Sequence, residues 1–379
     1  MTLNAVVDAA TEVETDQVTG LRLFTRTKVT PKWLCRAVVP AFRALQDDGT
    51  FILYVRRGWL HGPHVDLIAH DVAGQRFSWA NISARLDPGP LAPEEQALSE
   101  QTYLDQAREF GRLERVPPPY LPLRPHATVE SLAASDVALW SEPLDSMRKI
   151  ALSRISRPLI NTLERLADEP HAATIRVAEA FIAVANAHYL GAAFGVFSLR
   201  SHAEAFLAWA SPRTDPRPAF GRRLVTDAPL LRPLVERILH DEPGPEAAGW
   251  QTAFGYCMGA FDGAVASGTL SLAAIESMGG GFDPATMGPP RMVAQLDPRR
   301  SAFHDSIDAA GITADPPEWF ASYRLLINLF YQQLPLLGVS PMYRYYLCYA
   351  IAELIDEVLG ESWQDRLNRL QRRIAKAHL

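Results

Sequence analysis

What this chain lacks narrows it before any motif is read. Three of its 379 residues are cysteines, Cys35, Cys257 and Cys348. They stand far apart, fit no zinc-ligand spacing, and suit a reducing compartment better than a disulfide scaffold. No run of about 18 apolar residues occurs, so no membrane-spanning helix is expected. The opening stretch MTLNAVVDAATEVETDQ is acidic and has no apolar signal-peptide core, so a cytoplasmic protein is expected. A basic excess is missing too. Lys and Arg number 37 against 43 Asp and Glu, a net charge of −6, which argues against a nucleic-acid partner. Strong catalytic signatures are absent: there is no Gly-x-Gly-x-x-Gly after a strand, no P-loop, no His-Glu-x-x-His and no Gly-x-Ser-x-Gly. No internal repeat is visible.

What is present is an ordinary globular balance of 48% apolar and 21% charged residues, enough for a sizeable core. The 29 prolines sit mostly in loops, which reads as helices on long, stiff connections. Residues 21–28 alternate apolar and polar and predict a half-buried strand. Thr30 and Pro31 can open a helix that Pro40 kinks and Gly49 stops. TFILYVR and HVDLIAH predict a strand pair, followed by helices near 74–86 and over EEQALSEQTYLDQAREFGRL. The proline-rich RVPPPYLPLRPHATVE must run extended. It divides an αβ part, 1–125, from a mainly helical part, 126–379. Helices are predicted there over 142–168, 171–190, 201–210, 228–240, 246–268, 317–335 and, in two pieces, 341–376. Ser201 and Glu204 have capping-box spacing. SPRTDPRPAFGRR and ESMGGGFDPATMGPPRMVAQLDPRR are expected to be irregular, and SMGGGFD to be a turn or a backbone anion site. The fold class is therefore α+β, a small antiparallel sheet with helices followed by a mostly helical half.

The candidate chemistry concentrates in three places. His61, His64, Asp66 and His70 resemble a metal set. However, His64 and His70 would lie about 20 Å apart along one strand, so no metal is expected. Arg56 and His64 face each other across a turn. They can grip a carboxylate or polarise a carbonyl, or be a surface cation and a turn residue. NAHYLGAAFGVFSLRSHAEAF offers His188, Tyr189, Ser198, Ser201 and His202, in no diagnostic order. Tyr323, Tyr331, Tyr343, Tyr345, Tyr346 and Tyr349 crowd two helices, with Tyr346 and Tyr349 on one face. Such a cluster either packs with wet hydroxyls or relays protons.

Three stretches resemble one family. ILYVRRGWLHGPHVDL resembles the strand–turn–strand of the lantibiotic-dehydratase C-terminal, or thiopeptide-type bacteriocin biosynthesis, family, whose motif runs Phe-Phe-x-Arg-Tyr…Gly-Pro-His-x-Arg. FSLRSHAEAFLAW is similar to its mid-chain helix start, and LLGVSPMYRYYLCYAIAELIDEV to its C-terminal helix. One set in that family eliminates glutamate from glutamylated Ser or Thr. The other, the pyridine synthases, joins two dehydroalanines of one peptide in a formal [4+2] aza-cycloaddition, then loses water and the leader peptide.

The departures favour the second set. Where arginines would hold a glutamyl carboxylate, this chain has Asp66 and Ile68, and an aspartate repels that group. Where the eliminating enzymes place a histidine in the C-terminal helix, it has Cys348-Tyr349. The resemblance thus implies a cofactor-independent pyridine synthase acting on a leader-bearing ribosomal peptide, and a homodimer is a possible assembly. Tyr349 and His64 would donate protons, Tyr189 and Ser198 would assist, and Arg56, Tyr346 and Asp66 would contact the substrate. Arg222, Arg223, Arg299 and Arg300 are either leader contacts or solvated loop charges. A strand edge or groove in the N-terminal part would take the leader. The alternatives are a glutamate-eliminating lyase and a non-catalytic peptide-binding scaffold of the dehydratase complex.

Overall fold

Leu21 and Leu23 alternate with Arg22, and the strand they form lies inside a four-stranded sheet. The computed structural model of the chain describes residues 18–377 apart from 48–51, 71–77, 92, 94–96, 115, 138–139, 141, 212–213, 272, 276–300 and 312–318. Within them, β1 (Gly20–Phe24), β2 (Ile52–Gly58), β3 (His64–His70) and β4 (Val129–Leu132) pair antiparallel in the order β2-β3-β1-β4. The apolar alternation supplies one face with Leu21, Leu23, Leu53, Val55, Val65 and Leu67, all buried. The fourth strand comes after the proline-rich stretch, which runs without helix until β4 closes on β1.

Short helices flank the sheet. Thr30 Oγ1 accepts from the Trp33 amide at 3.2 Å and opens α1 (Pro31–Ala37). The expected kink at Pro40 is a full break, with α2 (Val39–Asp47) starting at the residue before it. A proline is tolerated in a first turn, where its missing N–H has no partner to lose. Gly49 lies outside the described residues. The helix predicted over 74–86 is the shorter α3 (Trp79–Ser83), and residues 74–77 are also outside them. α4 (Glu100–Glu114) precedes the prolines, and the four-residue α5 (Ala134–Val137) follows β4.

The rest is helical: α6 (Leu144–Asp168), α7 (Ala173–Asn186), α8 (Ala192–Ala210), α9 (Arg217–Leu239), α10 (Pro245–Ala266), α11 (Ala302–Ala309), α12 (Trp319–Gln333), α13 (Pro341–Leu359) and α14 (Trp363–Ala377). Every residue of α7 from Val177 to Ala185 is buried, as an all-round apolar helix at the centre of a bundle must be. α6 packs on both β2 and α10, so one hydrophobic core runs from Leu21 to Ile355. Gly360, at φ 60°, ends α13 in the left-handed conformation that glycine adopts without penalty.

Two expectations fail in this half. Ser201 is not a cap, because α8 begins nine residues earlier at Ala192. Its hydroxyl instead meets His304 Nε2 of α11 at 3.0 Å. The stretch expected to be irregular around residues 211–223 is largely helix, since α9 starts at Arg217 and runs through Pro229 and Pro233. Both prolines are exposed, where water can satisfy the carbonyls they leave unpaired.

Candidate active site

Strand register builds the site. Asp66 on β3 lies opposite Arg22 of β1 on one side and Arg56 of β2 on the other. Glu130 of β4 lies opposite Arg22. Residues paired across a sheet share a face, so a line of alternating charge crosses all four strands. Arg22 grips Asp66 with both arms of a fork, Nε to Oδ1 at 2.8 Å and Nη2 to Oδ2 at 3.0 Å. Arg56 Nε donates to Oδ2 at 2.7 Å. Its Nη2 and Nη1 donate to the carbonyls of Asp136 and Val137 at 2.9 and 3.3 Å, at the end of α5. Arg124 pairs with Glu130 at 2.8 Å and completes the line.

The Asp66 carboxylate is 1% exposed. Burial alone would raise its pKa, but the hydrogen bonds of Arg22 and the charges around it hold it below the usual carboxylate range. Asp66 is therefore an internal counterion, with both oxygens engaged. The expectation that it contacts substrate is corrected on that ground.

His64 is one pair further along the same face. The hairpin turn that delivers it needs Gly62 at φ 126°, and the Gly62 amide donates to the Trp59 carbonyl at 3.0 Å. Nδ1 lies 2.9 Å from the Gly62 carbonyl, which can only accept, so Nδ1 carries the proton. Nε2 is left as an acceptor, 4.0 Å from Asp66 Oδ1. Opposite His64 in register is Gly58, and a Cβ there would sit 2.1 Å from His64 Nε2, so the ring occupies the space of the missing side chain. Burial pushes the imidazole pKa down to about 4, despite the opposing pull of Asp66. A neutral ring with its Nδ1–H committed to the Gly62 carbonyl offers Nε2 as a hydrogen-bond acceptor. The donor role expected for it requires a proton on Nε2.

A second polar group continues the seam. Val137 O also accepts from Arg148 Nη2 at 2.9 Å, and Arg148 Nε donates to Asp145 Oδ1 at 3.0 Å. Lys149 pairs with Asp145 at 2.8 Å. The Tyr54 hydroxyl is pushed up to about 12 by burial. Sequence reasoning missed Arg22, Arg148 and Asp145. The polar phase of residues 21–28 was a signal for Arg22, but nothing local names its partner.

The other expected residues lie elsewhere. Tyr349 is half-buried on α13, its ring centroid 5.7 Å from Phe220, among the charges of Glu353, Arg200, Glu204 and Arg217. Tyr346 is 1% exposed and donates to Asp227 Oδ2 at 2.7 Å. Arg223 lies 4.6 and 4.3 Å over the Tyr343 and Tyr346 rings, and Arg222 is exposed; both are helical residues of α9, not loop charges. Tyr189, 54% exposed, donates to Asp262 Oδ2 and stacks near Trp319, with its pKa pushed up to about 12 by that bond. Ser198 is half-buried on α8, one turn before His202. His202 stands between Tyr331 and Tyr345, each centroid 4.8 Å away. Tyr349, Tyr189 and His64 thus have separate neighbours. Arg299, Arg300 and the SMGGGFD stretch lie outside the described residues.

A cavity of about 600 Å³ opens between α1, α6 and α10, lined by Cys35, Thr162, Glu164, Asp168 and Glu246 among others. Neither the 51–70 hairpin nor the tyrosine-bearing α13 borders it. Among the described residues no helix is long and apolar enough to cross a membrane.

No family model matches the chain, and no curated protein matches it. Its architecture, an N-terminal antiparallel sheet with a helical half, is similar to that of two solved structures. The solved structure of the pyridine synthase TbtD from thiomuracin biosynthesis superposes with a TM-score of 0.60 over 90% of this chain and 98% of that one, at 19% identity. The crystal structure of TsrL superposes with a TM-score of 0.59 over 94% and 98%, at 15% identity. At these identities the likeness is one of fold.

Proposed function

We propose that the chain is a pyridine synthase of thiopeptide assembly. One dehydroalanine of a leader-bearing peptide moves its amide proton from nitrogen to oxygen and becomes an aza-diene. Two carbon–carbon bonds then form to a second dehydroalanine, one from the terminal CH₂ of the diene and one from the carbon that bears the former amide oxygen. Water leaves with the former amide oxygen, and the leader departs as a C-terminal amide to leave the aromatic ring. Tethering both partners in one chain supplies a large part of the acceleration, up to about 7–11 kcal/mol in favourable cases. The part-exposed guanidinium groups of Arg22 and Arg56 (20% and 15%) are the carbonyl-facing donors of this scheme.

The observation that carries the reading is Asp66 held by both arginines. The family resemblance implies that a glutamate-eliminating lyase has arginines where this chain has Asp66 and Ile68, and here the Asp66 carboxylate itself engages the two arginines of this face. The fold shared almost end to end with TbtD agrees with this.

A second reading has its own support. Tyr331, Tyr345 and Tyr346 pack against His202, Phe206 and Phe220, as a non-catalytic peptide-binding scaffold would have them. One assay separates the readings. The protein is incubated with a leader-bearing, azole-containing peptide carrying two dehydroalanines, and products are followed by mass spectrometry. A synthase yields a species short of one water and the leader, with the leader amide released. Binding without turnover supports the scaffold, and turnover of a glutamylated peptide alone overturns the proposal.

A further inference from the structure

We propose that the charged face of the sheet is a carboxylate receptor with its ligand built in, so that Asp66 keeps small carboxylates out of a two-arginine cradle. This stands on the sheet geometry and does not depend on the reaction assigned above.

The cradle has the parts of an anion site. Arg22 offers a planar fork whose Nε and Nη2 meet two oxygens of one carboxylate at 2.8 and 3.0 Å, the arrangement that makes arginine selective for planar carboxylates. Arg56 closes on the same group from the opposite strand at 2.7 Å. Arg56 does not depend on Asp66 alone for its place. Both Nη atoms of Arg56 are held by the Asp136 and Val137 carbonyls. Arg22 has Glu130 opposite it in register, and Glu130 is itself paired to Arg124. Removing the Asp66 side chain therefore empties a position into which Arg56 stays aimed and beside which Arg22 keeps the charge of Glu130 across the ladder. The Asp66 side chain is 1% exposed, while those of Arg22 and Arg56 are 20% and 15% exposed, so the way in for a small anion runs along the arginines.

The consequence is specificity. In the native protein a substrate carboxylate finds the donors taken and meets a like charge. A substrate carbonyl, which is neutral, meets only the outer edges of the guanidinium groups. Asp66 is in this sense a specificity-determining residue that acts by occupying the site.

Side-chain deletion with chemical replacement tests this. Asp66→Gly removes a CH₂–COO⁻ group that acetate replaces atom for atom. Asp66→Ala keeps Cβ, so formate becomes the matching ion. Thermal unfolding is followed in acetate, formate, propionate and chloride at equal ionic strength. Asp66→Gly is expected to rise by several degrees most strongly in acetate, and Asp66→Ala most strongly in formate. Propionate should be weakest for both. Wild type and Asp66→Asn, whose cradle is filled, should not distinguish the salts. Should either deletion variant be unfolded in chloride, refolding into its matched carboxylate reads the same property. A response no larger than that of wild type, the same order of anions for both variants, or no refolding in the matched ion overturns the proposal.

Discussion

The sheet and the tyrosine-bearing helices both hold polar groups away from water, but they do so in opposite ways. On the sheet, each charge has another charge as its partner, placed by strand register: Arg56, Asp66, Arg22 and Glu130 follow one another across four strands. Between α8, α9 and α13, rings supply contact area and their polar tips are secondary. Phe206 stacks on Tyr345 at 4.2 Å, and Phe220 meets both Tyr346 and Tyr349. Removing a member of the first set strands a buried charge. Removing a hydroxyl from the second leaves the packing intact. The sequence offered both the hairpin and the tyrosine helices as candidates, and the interdependent arrangement is on the sheet.

The largest effect should follow from Asp66→Ala, which leaves two arginines around an empty carboxylate position. A loss of about 3–5 kcal/mol is expected in urea denaturation without added carboxylate. A loss under about 1 kcal/mol would place the row on the same footing as the aromatic helices and remove the contrast.

Acid should act next. His64 takes up a proton near 6.5 when unfolded but only near about 4 in the folded chain. The stability from burying the neutral ring is thus complete above pH 6.5 and is lost as pH falls toward 4, by up to about 3 kcal/mol. His202, pushed down to about 3 by burial, acts with the same sign. Asp66 adds to the loss at still lower pH, where its depressed carboxyl finally protonates. His64→Asn should flatten the denaturation midpoint between pH 6.5 and 4. An unchanged slope would assign the acid sensitivity to other groups.

Glycine substitutions give a smaller, signed test. Gly58→Ala drives a methyl into His64 and should cost about 1–3 kcal/mol. Gly255→Ala on the exposed face of α10 meets nothing within 4 Å and should stabilise by about 0.5–1 kcal/mol. Thermal unfolding of the two variants with opposite signs confirms that the sheet is tight where the helix is open, and equal signs contradict it.

The tyrosines close the series. Tyr346→Phe gives up a hydrogen bond to Asp227 and should lose about 1–2 kcal/mol. Tyr349→Phe should change stability by no more than about 0.5 kcal/mol. Turnover of the two-dehydroalanine peptide is expected to fall in Tyr349→Phe, and an unchanged rate takes this hydroxyl out of the reaction.

The elements that read clearly were those with local signals. The strand pair around Gly62-Pro63, the Thr30–Pro31 start and the two pieces of the C-terminal helix all carry their caps and turns in the sequence. The start of α8 did not, because Gly191 opens that helix with no side-chain cap while Ser201 imitates one. The second half of α9 was read at 228–240 despite Pro229 and Pro233, but its first half was hidden by the prolines around its start, which count against a helix by propensity and are tolerated in a first turn. In the site, His64, Arg56 and Asp66 were legible as a hairpin constellation. Arg22 was not, since its partner stands 44 residues away and is set by pairing to a strand with no local tie to it. The burial of the His64 ring, which lowers its pKa, goes with the glycine facing it across the ladder.

The two inner prolines of α9 leave a mark on its surface. Neither has an amide, so the carbonyls of Val225 and Pro229 have no donor one turn ahead of them. Val225 is 78% exposed. The outer side of this helix is in effect a short row of spare acceptors, hydrated by construction. In a hydrogen-exchange experiment Pro229 and Pro233 give no signal at all, so the helix will look interrupted there although its backbone is continuous.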